Sequence, residues 1–272
     1  DYNNLLLFLK EKRRIEDIAI ADLDKKFIED YYNWMLGTCA LASSTAFCRV
    51  NTLKWLMYTA QERGWIKLHP FIGFDCLPEY KRRSFLTEED LQRVIHVKLN
   101  YKRQRAIRDM FLFMCFTGLA YADLKEITYK NIHTDSEGGT WLMGNRIKTG
   151  VSYVVKLLPI AIELVERYKG ENKKKSSPDK VFPVGEYQTM VSSLRVLTQK
   201  CGCSTEITPH IGRHTFAVLA ILKGMPLETL QKVLGHKSIL STQIYAELIN
   251  PKVGEDTDKL CMKIGDVYRL TN

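Results

Sequence analysis

A single β-rich stretch interrupts a chain whose apolar residues otherwise repeat at helical spacing. The stretch TWLMGNRIKTGVSYVVKLLP at 140–159 is rich in β-branched and aromatic residues and contains Gly150 near its middle. It predicts two paired strands, with Lys148 at or beside the hairpin tip. Elsewhere, apolar residues recur at mixed spacings of three and four, which is typical of amphipathic helices. The pattern therefore predicts a mostly α fold with one small β-hairpin sheet.

A change in composition after the first helical segment predicts two domains. The stretch HPFIGFDCLPEYKRR at 69–83 has two prolines, a glycine and three consecutive basic residues, which is typical of a linker. Thr87 then opens a new helix, because the three acidic residues after it suit a first helical turn. We predict a helical domain at 1–76, a linker at 77–86 and a mainly helical, mixed α/β domain at 87–272.

The charge balance favours a polyanionic partner. Lys and Arg total 40 against 31 Asp and Glu, a formal net charge of +9. An excess of this kind is typical of proteins that bind nucleic acid. The sequence has no apolar run of roughly 18 residues and no signal-peptide pattern at its start, so no membrane association is expected.

The cysteines predict neither a disulfide framework nor a metal site. Their number is odd and their spacing scattered, which is typical of a reducing cytoplasm. Cys201-x-Cys203 precedes two histidines, but the spacing fits no common zinc pattern. No metal and no cofactor is therefore expected. The seven cysteines are Cys39, Cys48, Cys76, Cys115, Cys201, Cys203 and Cys261.

The stretch HIGRHTFAVLAILKGMPLETLQKVLGHKSILSTQIYAEL at 210–248 keeps polar side chains within apolar helices. His210 and Arg213 are three residues apart and share one helix face. A predicted helix ends before His236, and Tyr245 follows nine residues later. Histidine, arginine and tyrosine in this order are suited to chemistry on a phosphate.

Several of these segments resemble the signature boxes of the tyrosine recombinase (phage integrase) family. HIGRHTFA, LGHKS and STQIYAEL match three boxes in order, NRIKTG resembles the β-hairpin lysine box, and FTGLAYADL resembles the first box. The helical unit at 1–76 resembles the family's core-binding domain, and 87–272 its catalytic domain. The resemblance implies a site-specific DNA recombinase that cleaves and rejoins strands through a 3′-phosphotyrosine, as in integrases of mobile elements from gut Bacteroides-type bacteria.

The resemblance implies a role for each of five residues. A tyrosine hydroxyl has an ordinary pKa near 10 and is a poor nucleophile until basic neighbours and a polarised phosphodiester assist it. Tyr245 is the expected nucleophile, and Arg213, His210 and His236 are expected on the nonbridging phosphate oxygens. Lys148 is expected to protonate the departing 5′ oxygen. His214 is expected to be structural, since it points about 100° away from Arg213.

The first box departs from the family pattern at one position. The residue after Thr-Gly-Leu is usually arginine in the family, and here it is Ala120, although Asp123 matches the supporting carboxylate. Loss of one arginine removes a few kcal/mol of transition-state stabilisation, roughly 3 kcal/mol, unless another cation substitutes. Arg108 is the candidate, although twelve residues of straight helix, about 18 Å, separate it from Ala120.

Double-stranded DNA is the expected partner, with a tetramer of this chain on paired sites and a monomeric form allowed without DNA. DNA-bending or excision accessory proteins are further expected partners, and the location is expected to be cytoplasmic and nucleoid-associated. A C-terminal helix within 258–272 is expected to dock on a neighbouring protomer. Many integrases of this kind carry a further arm-binding domain, which would lie before Asp1. The candidate phosphate contacts outside the catalytic site are Arg49, Lys54, Arg82 and Arg83.

Two other functions fit the same sequence. A type IB topoisomerase uses similar chemistry but relaxes supercoils without pairing sites. A non-catalytic DNA-binding relative is the second alternative, because Ala120 replaces an arginine of the family's active site.

Overall fold

The computed structural model describes residues 2–78, 84–169 and 179–246. The chain divides into two compact units, Asp1–Lys81 and Arg82–Asn272. The linker residues Arg82 and Arg83 and the expected C-terminal helix lie outside the described residues. Within the described residues, no helix combines the length and the apolar character that crossing a membrane requires.

The first unit is helical. Helix α1 covers Tyr2–Phe8 and continues as a π-helical turn, Leu9–Arg13; a 3₁₀ turn, Ile20–Asp22, precedes α2, Lys25–Gly37, and α3, Ser43–Glu62. Asp24 caps α2 by accepting a hydrogen bond from the Phe27 amide at 2.7 Å. An aromatic cluster of buried side chains joins α1 to α2, and its members are Phe8, Phe27, Tyr31 and Trp34.

The second unit begins with three helices and a small sheet. Its helices are α4, Glu88–His96, α5, Lys102–Thr117, and α6, Tyr121–Glu126. The side chain of Thr87 accepts from the Asp90 amide, as its predicted N-cap role requires. A 3₁₀ turn, Tyr129–Asn131, leads into strands β1, Ile132–Thr134, β2, Thr140–Asn145, and β3, Ser152–Lys156.

The three strands form an antiparallel sheet in the order β1-β2-β3. The predicted hairpin is β2 and β3, in register from Trp141 opposite Lys156 to Asn145 opposite Ser152. β1 was not predicted, because three residues are too few to show the alternation by which a strand is recognised. The mostly helical fold with a small sheet is otherwise as predicted.

Five further helices complete the described part of the unit. They are α7, Pro159–Tyr168, α8, Tyr187–Cys201, α9, Pro209–Leu222, α10, Leu227–Leu234, and α11, Leu240–Ala246. α9 packs closely against α5 at Gly212, where an added Cβ would lie 3.1 Å from Met114 Cβ and 3.2 Å from Phe111 Cε2. The glycine thus permits the close helix approach that places the next residue, Arg213, in the interior.

Candidate active site

Arg213 lies at the centre of the candidate site, buried on α9 with 6% of its surface exposed. Its Nη1 donates to the Gly118 carbonyl at 2.6 Å, and its Nη2 donates to the Leu234 carbonyl at 2.7 Å. Both acceptors belong to helix C-termini, whose last carbonyls have no partner within the helix. Burial lowers the pKa of Arg213 to about 10, and the positive charge of Arg146 acts in the same direction. The guanidinium is therefore held rigidly, at an electrostatic cost.

Gly118 allows this arrangement because it adopts a left-handed conformation at the end of α5. Its φ is +70°, and an added Cβ would lie 2.5 Å from Phe216 Cδ1 and 2.7 Å from Leu234 Cδ2. Only glycine accommodates both the backbone angle and the close approach. The turn thereby aims the Gly118 carbonyl at Arg213.

Tyr245 reaches Arg213 from α11. Its side chain is 1% exposed, and its hydroxyl lies 3.0 Å from Nδ1 of His214. This hydroxyl also lies close enough to the Arg213 guanidinium to raise the pKa of that arginine, against the larger effect of burial. The structure therefore brings the expected nucleophile and the expected phosphate clamp together, although they are 32 residues apart in sequence.

In the sequence, His210 precedes Arg213 and His236 lies between Arg213 and Tyr245. Gly235 ends α10 with φ +60°, and the His236 amide then donates to the Gln231 carbonyl at 3.1 Å. The His236 ring places Nδ1 2.8 Å from the Thr242 hydroxyl, which connects it to α11. His210 is exposed on the first turn of α9, and its ring is nearly parallel to that of His214 at 6.4 Å.

A buried carboxylate attaches the β2–β3 hairpin to the site. Asp123 on α6 is 3% exposed, accepts from the Ile147 amide at 2.9 Å and pairs with the Arg146 guanidinium. Arg146 packs against Gly235, where an added Cβ would lie 2.7 Å from its Cγ. Lys148 is exposed on the turn that follows. The hairpin therefore presents Arg146 to Arg213 and leaves Lys148 on the surface.

Arg146 is the site residue that sequence reasoning missed. The resemblance of NRIKTG to a lysine box directed attention to Lys148, two positions further on. A physical signal was present, because the predicted supporting carboxylate Asp123 requires a cation or several hydrogen bonds once it is buried.

The structure places Arg108 in a different cluster, not beside Arg213. Its Nε and Nη2 donate to Asp109 at 3.0 and 2.9 Å, and its Nη1 donates to the Val97 carbonyl at 3.3 Å. Asp109 also accepts from Arg167 and the Tyr168 hydroxyl. Because α5 continues unbroken to Thr117, ten residues of helix, about 15 Å, still separate Arg108 from Gly118.

The candidate phosphate contacts of the first unit that are described lie on α3. Arg49 and Lys54 are both half-buried. The Lys54 ammonium lies 6.0 Å from the centroid of the Phe71 ring. Their contact with DNA remains a prediction.

Burial raises the pKa of the two neighbouring thiols, Cys201 and Cys203, and brings that of Cys203 to about 12. Among the described residues, no group of three or more His, Cys, Asp or Glu side chains is arranged to hold a metal ion.

Family models match both units. The model of the phage integrase family matches residues 84–250, and that of the phage integrase SAM-like domain matches residues 2–77. A tyrosine recombinase XerA from Saccharolobus solfataricus is 32% identical over 176 residues, which cover 64% of this chain and 56% of that protein. A tyrosine recombinase from Pseudothermotoga lettingae is 23% identical over 272 residues, covering 96% of this chain and 89% of that protein. The chain thus matches little more than half the length of the XerA relative.

Solved structures share the fold at low sequence identity. The Tn1549 transposon integrase in complex with a circular intermediate DNA has a TM-score of 0.71 at 19% identity, covering 95% of this chain and 92% of that one. The XerH site-specific recombinase in a post-cleavage complex with a palindromic difH substrate has a TM-score of 0.72 at 17% identity, covering 93% of this chain and 77% of that one.

Proposed function

The chain belongs to the phage integrase family, and from that premise we propose that it is a site-specific DNA recombinase. It cleaves and rejoins DNA through a 3′-phosphotyrosine intermediate and integrates or excises a mobile element. The observation that carries this proposal is the position of the Tyr245 hydroxyl, 3.0 Å from Nδ1 of His214, which follows Arg213 on α9, and near enough to Arg213 to raise its pKa. A buried arginine beside a tyrosine hydroxyl is the arrangement that attack on a phosphodiester needs.

The bonds made and broken balance as follows. The Tyr245 oxygen attacks phosphorus and gives up its proton to a neighbouring imidazole, the bond from phosphorus to the 5′ oxygen breaks, and Lys148 supplies the proton that this leaving oxygen takes. His210 and His236 donate hydrogen bonds to the nonbridging oxygens. The tyrosyl ester retains the energy of the broken bond, so a 5′ hydroxyl of another strand reverses the reaction and joins to the 3′ phosphate without ATP.

Arg146 takes the place of the arginine that Ala120 lacks. Two guanidinium groups near each other repel, which is one cause of the lowered pKa of Arg213. A phosphodiester between them removes this repulsion and accepts hydrogen bonds from both. As negative charge develops on the nonbridging oxygens, both arginines bind them more strongly, which lowers the activation barrier.

The first unit supplies affinity for duplex DNA and acts as the core-binding domain at 1–76, joined by the linker at 77–86 to the catalytic domain at 87–272. Phosphate contacts come from Arg49, Lys54, Arg82 and Arg83, and the net charge of +9 of the whole chain favours a polyanion such as DNA. Recombination proceeds in a tetramer on paired sites, assisted by DNA-bending or excision proteins, at the nucleoid. The element resembles those of gut Bacteroides-type bacteria, because Ala120 stands where most of the family has arginine.

The test is covalent trapping on DNA from the ends of the element that carries the coding sequence. A duplex nicked one or two nucleotides from the cleavage point loses a short fragment after cleavage, so the protein stays attached to the 3′ phosphate. Wild-type protein should form this adduct, and Tyr245→Phe should bind the same DNA without forming it. Tyr129→Phe is a matched control, since the Tyr129 hydroxyl is buried without a hydrogen-bond partner among the described residues.

The outcomes separate this function from the alternatives. Binding without an adduct in the wild-type protein would identify a non-catalytic DNA-binding relative. Relaxation of supercoiled plasmid that lacks the element's ends would indicate a topoisomerase. Attachment of the protein to a 5′ phosphate would contradict the proposed chemistry.

A further inference from the structure

His214 contacts the nucleophile directly, although its position on α9 predicted a structural role. Its Nδ1 lies 3.0 Å from the Tyr245 hydroxyl, and the two ring centroids are 5.5 Å apart with the planes tilted by 53°. The tilt excludes simple stacking, so the hydrogen bond is the main polar contact between the rings. We propose that His214 is a positioning residue that holds the Tyr245 oxygen beside Arg213 for attack; this role rests on the proposed function.

Hydrogen-bond chemistry determines the direction of this contact. A guanidinium is positively charged and has donors only, so the Arg213 charge near Tyr245 favours a lone pair of the tyrosine oxygen on that side. The single proton of the phenol must therefore point to a different acceptor. His214 Nδ1 lies within reach as that acceptor, with the ring proton on Nε2. The phenolic proton is thereby turned away from Arg213, and lone-pair density stays on the side where the nonbridging phosphate oxygens bind.

Packing of α11 against α9 and α10 decides where the Tyr245 hydroxyl lies. The described part of this helix is Leu240–Ala246, and the contact between Tyr245 and His214 joins it to α9. A nucleophile displaced by about 1 Å loses about 10²-fold in rate.

Three substitutions of His214 test the position of the acceptor atom. Asn places a side-chain oxygen near the location of Nδ1, Gln places it nearer to that of Nε2, and Ala removes it. The rate of adduct formation on the nicked duplex should fall about 10²-fold in His214→Ala, recover at least tenfold in His214→Asn and recover little in His214→Gln. Thermal unfolding of each variant measures how much of it is folded at the assay temperature.

A nucleophile that bypasses Tyr245 separates positioning from a merely structural role. Hydrogen peroxide, supplied to Tyr245→Phe protein on the same DNA, provides an anion that attacks phosphorus and expels the 5′ oxygen. Because His214 acts only through the tyrosine oxygen, adding His214→Ala to Tyr245→Phe should leave the peroxide-driven rate unchanged. The wild-type adduct shows separately whether the proposed function holds.

Three results would overturn the role of His214. A His214→Ala variant that cleaves at or above the wild-type rate would show that the hydrogen bond only restrains the tyrosine. An equal loss in the tyrosine and peroxide reactions would show that His214 acts on the fold or the phosphate. Failure of the wild-type protein to form any adduct would remove the proposed function, and the positioning role with it.

Discussion

Removal of Arg146 should abolish most cleavage, whereas removal of Arg108 should not. The two side chains form a matched pair, since Arg146 is 12% exposed beside Asp123 at 2%, and Arg108 is 13% exposed beside Asp109 at 1%. Removing one partner of a buried ion pair leaves the other charge unpaired and lowers the free energy of unfolding by about 3–5 kcal/mol. Arg108→Ala should cost less than this, because Asp109 keeps its contacts with Arg167 and other donors.

A neutral pair separates stability from catalysis. In the double variant Arg146→Gln with Asp123→Asn, no charge remains unpaired, and the Asn oxygen still accepts from the Ile147 amide. This protein should stay folded, yet its rate of adduct formation should fall about 10²–10³-fold, the effect of losing one group that stabilises transition-state charge. The rate of Arg146→Lys should lie between those of the wild type and the double variant, because an ammonium keeps the charge without the planar fork.

The assay measures adduct formation on a nicked duplex in a single turnover at saturating protein. Thermal unfolding of each variant gives the folded fraction at the assay temperature, by which the rates are corrected. A double variant that cleaves as fast as wild type would refute the role of Arg146. If Arg108→Ala lost as much of the rate of adduct formation as the double variant, at the same folded fraction, Arg108 would be the residue that replaces the missing arginine.

Three further predictions concern the leaving group, the first unit and the turn before α6. Lys148→Ala should cleave an ordinary phosphodiester slowly but a 5′-bridging phosphorothiolate at nearly the wild-type rate, because a thiolate leaves without a proton; equal slowing on both substrates would assign Lys148 another role. Burial lowers the pKa of His69, so the unfolded chain takes up a proton that the folded chain resists, and the free energy of unfolding should fall as the pH drops from about 7 to 5. Urea titrations of His69→Asn should show a weaker fall, and identical pH slopes would contradict this reasoning. Gly118→Ala should lower the free energy of unfolding by about 2–4 kcal/mol, because of the positive φ at this position and the contact with Phe216. It should also slow cleavage, because the Gly118 carbonyl holds Arg213. An unchanged urea midpoint would refute the predicted loss of stability.

Local signals in the sequence account for most of the fold. The N-cap at Thr87, the helix end at Gly235 and the β-rich run around Gly150 each depend on a few neighbouring residues, and the structure has all three. β1 was not predicted because it forms by pairing with β2, and a strand of three residues has no recognisable pattern of its own in the sequence.

For the candidate site, too, the sequence predicted individual residues but not the contacts between distant elements. Tyr245 and Arg213 were expected from ordered boxes, but their meeting depends on how α11 packs against α9. The rotation of about 100° per residue separates the directions of Arg213 and His214 around α9. It gave no information that α11, with Tyr245, packs on the side of His214. Prediction of Arg146 as a site residue would have required the knowledge that the β2–β3 hairpin, distant in sequence, packs beside Gly235.

In the part of the chain that the structure describes, the groups that orient Arg213 are backbone carbonyls and not carboxylates. A carboxylate partner would compete with an incoming DNA phosphate and would have to be displaced before the phosphate could bind. The oxygens of Gly118 and Leu234 carry only partial charges, so they fix the direction of the guanidinium while its full unit of charge stays available to an anion. Occupation of the site by DNA should therefore leave these two bonds intact, and the bound phosphate should make the second unit harder to unfold.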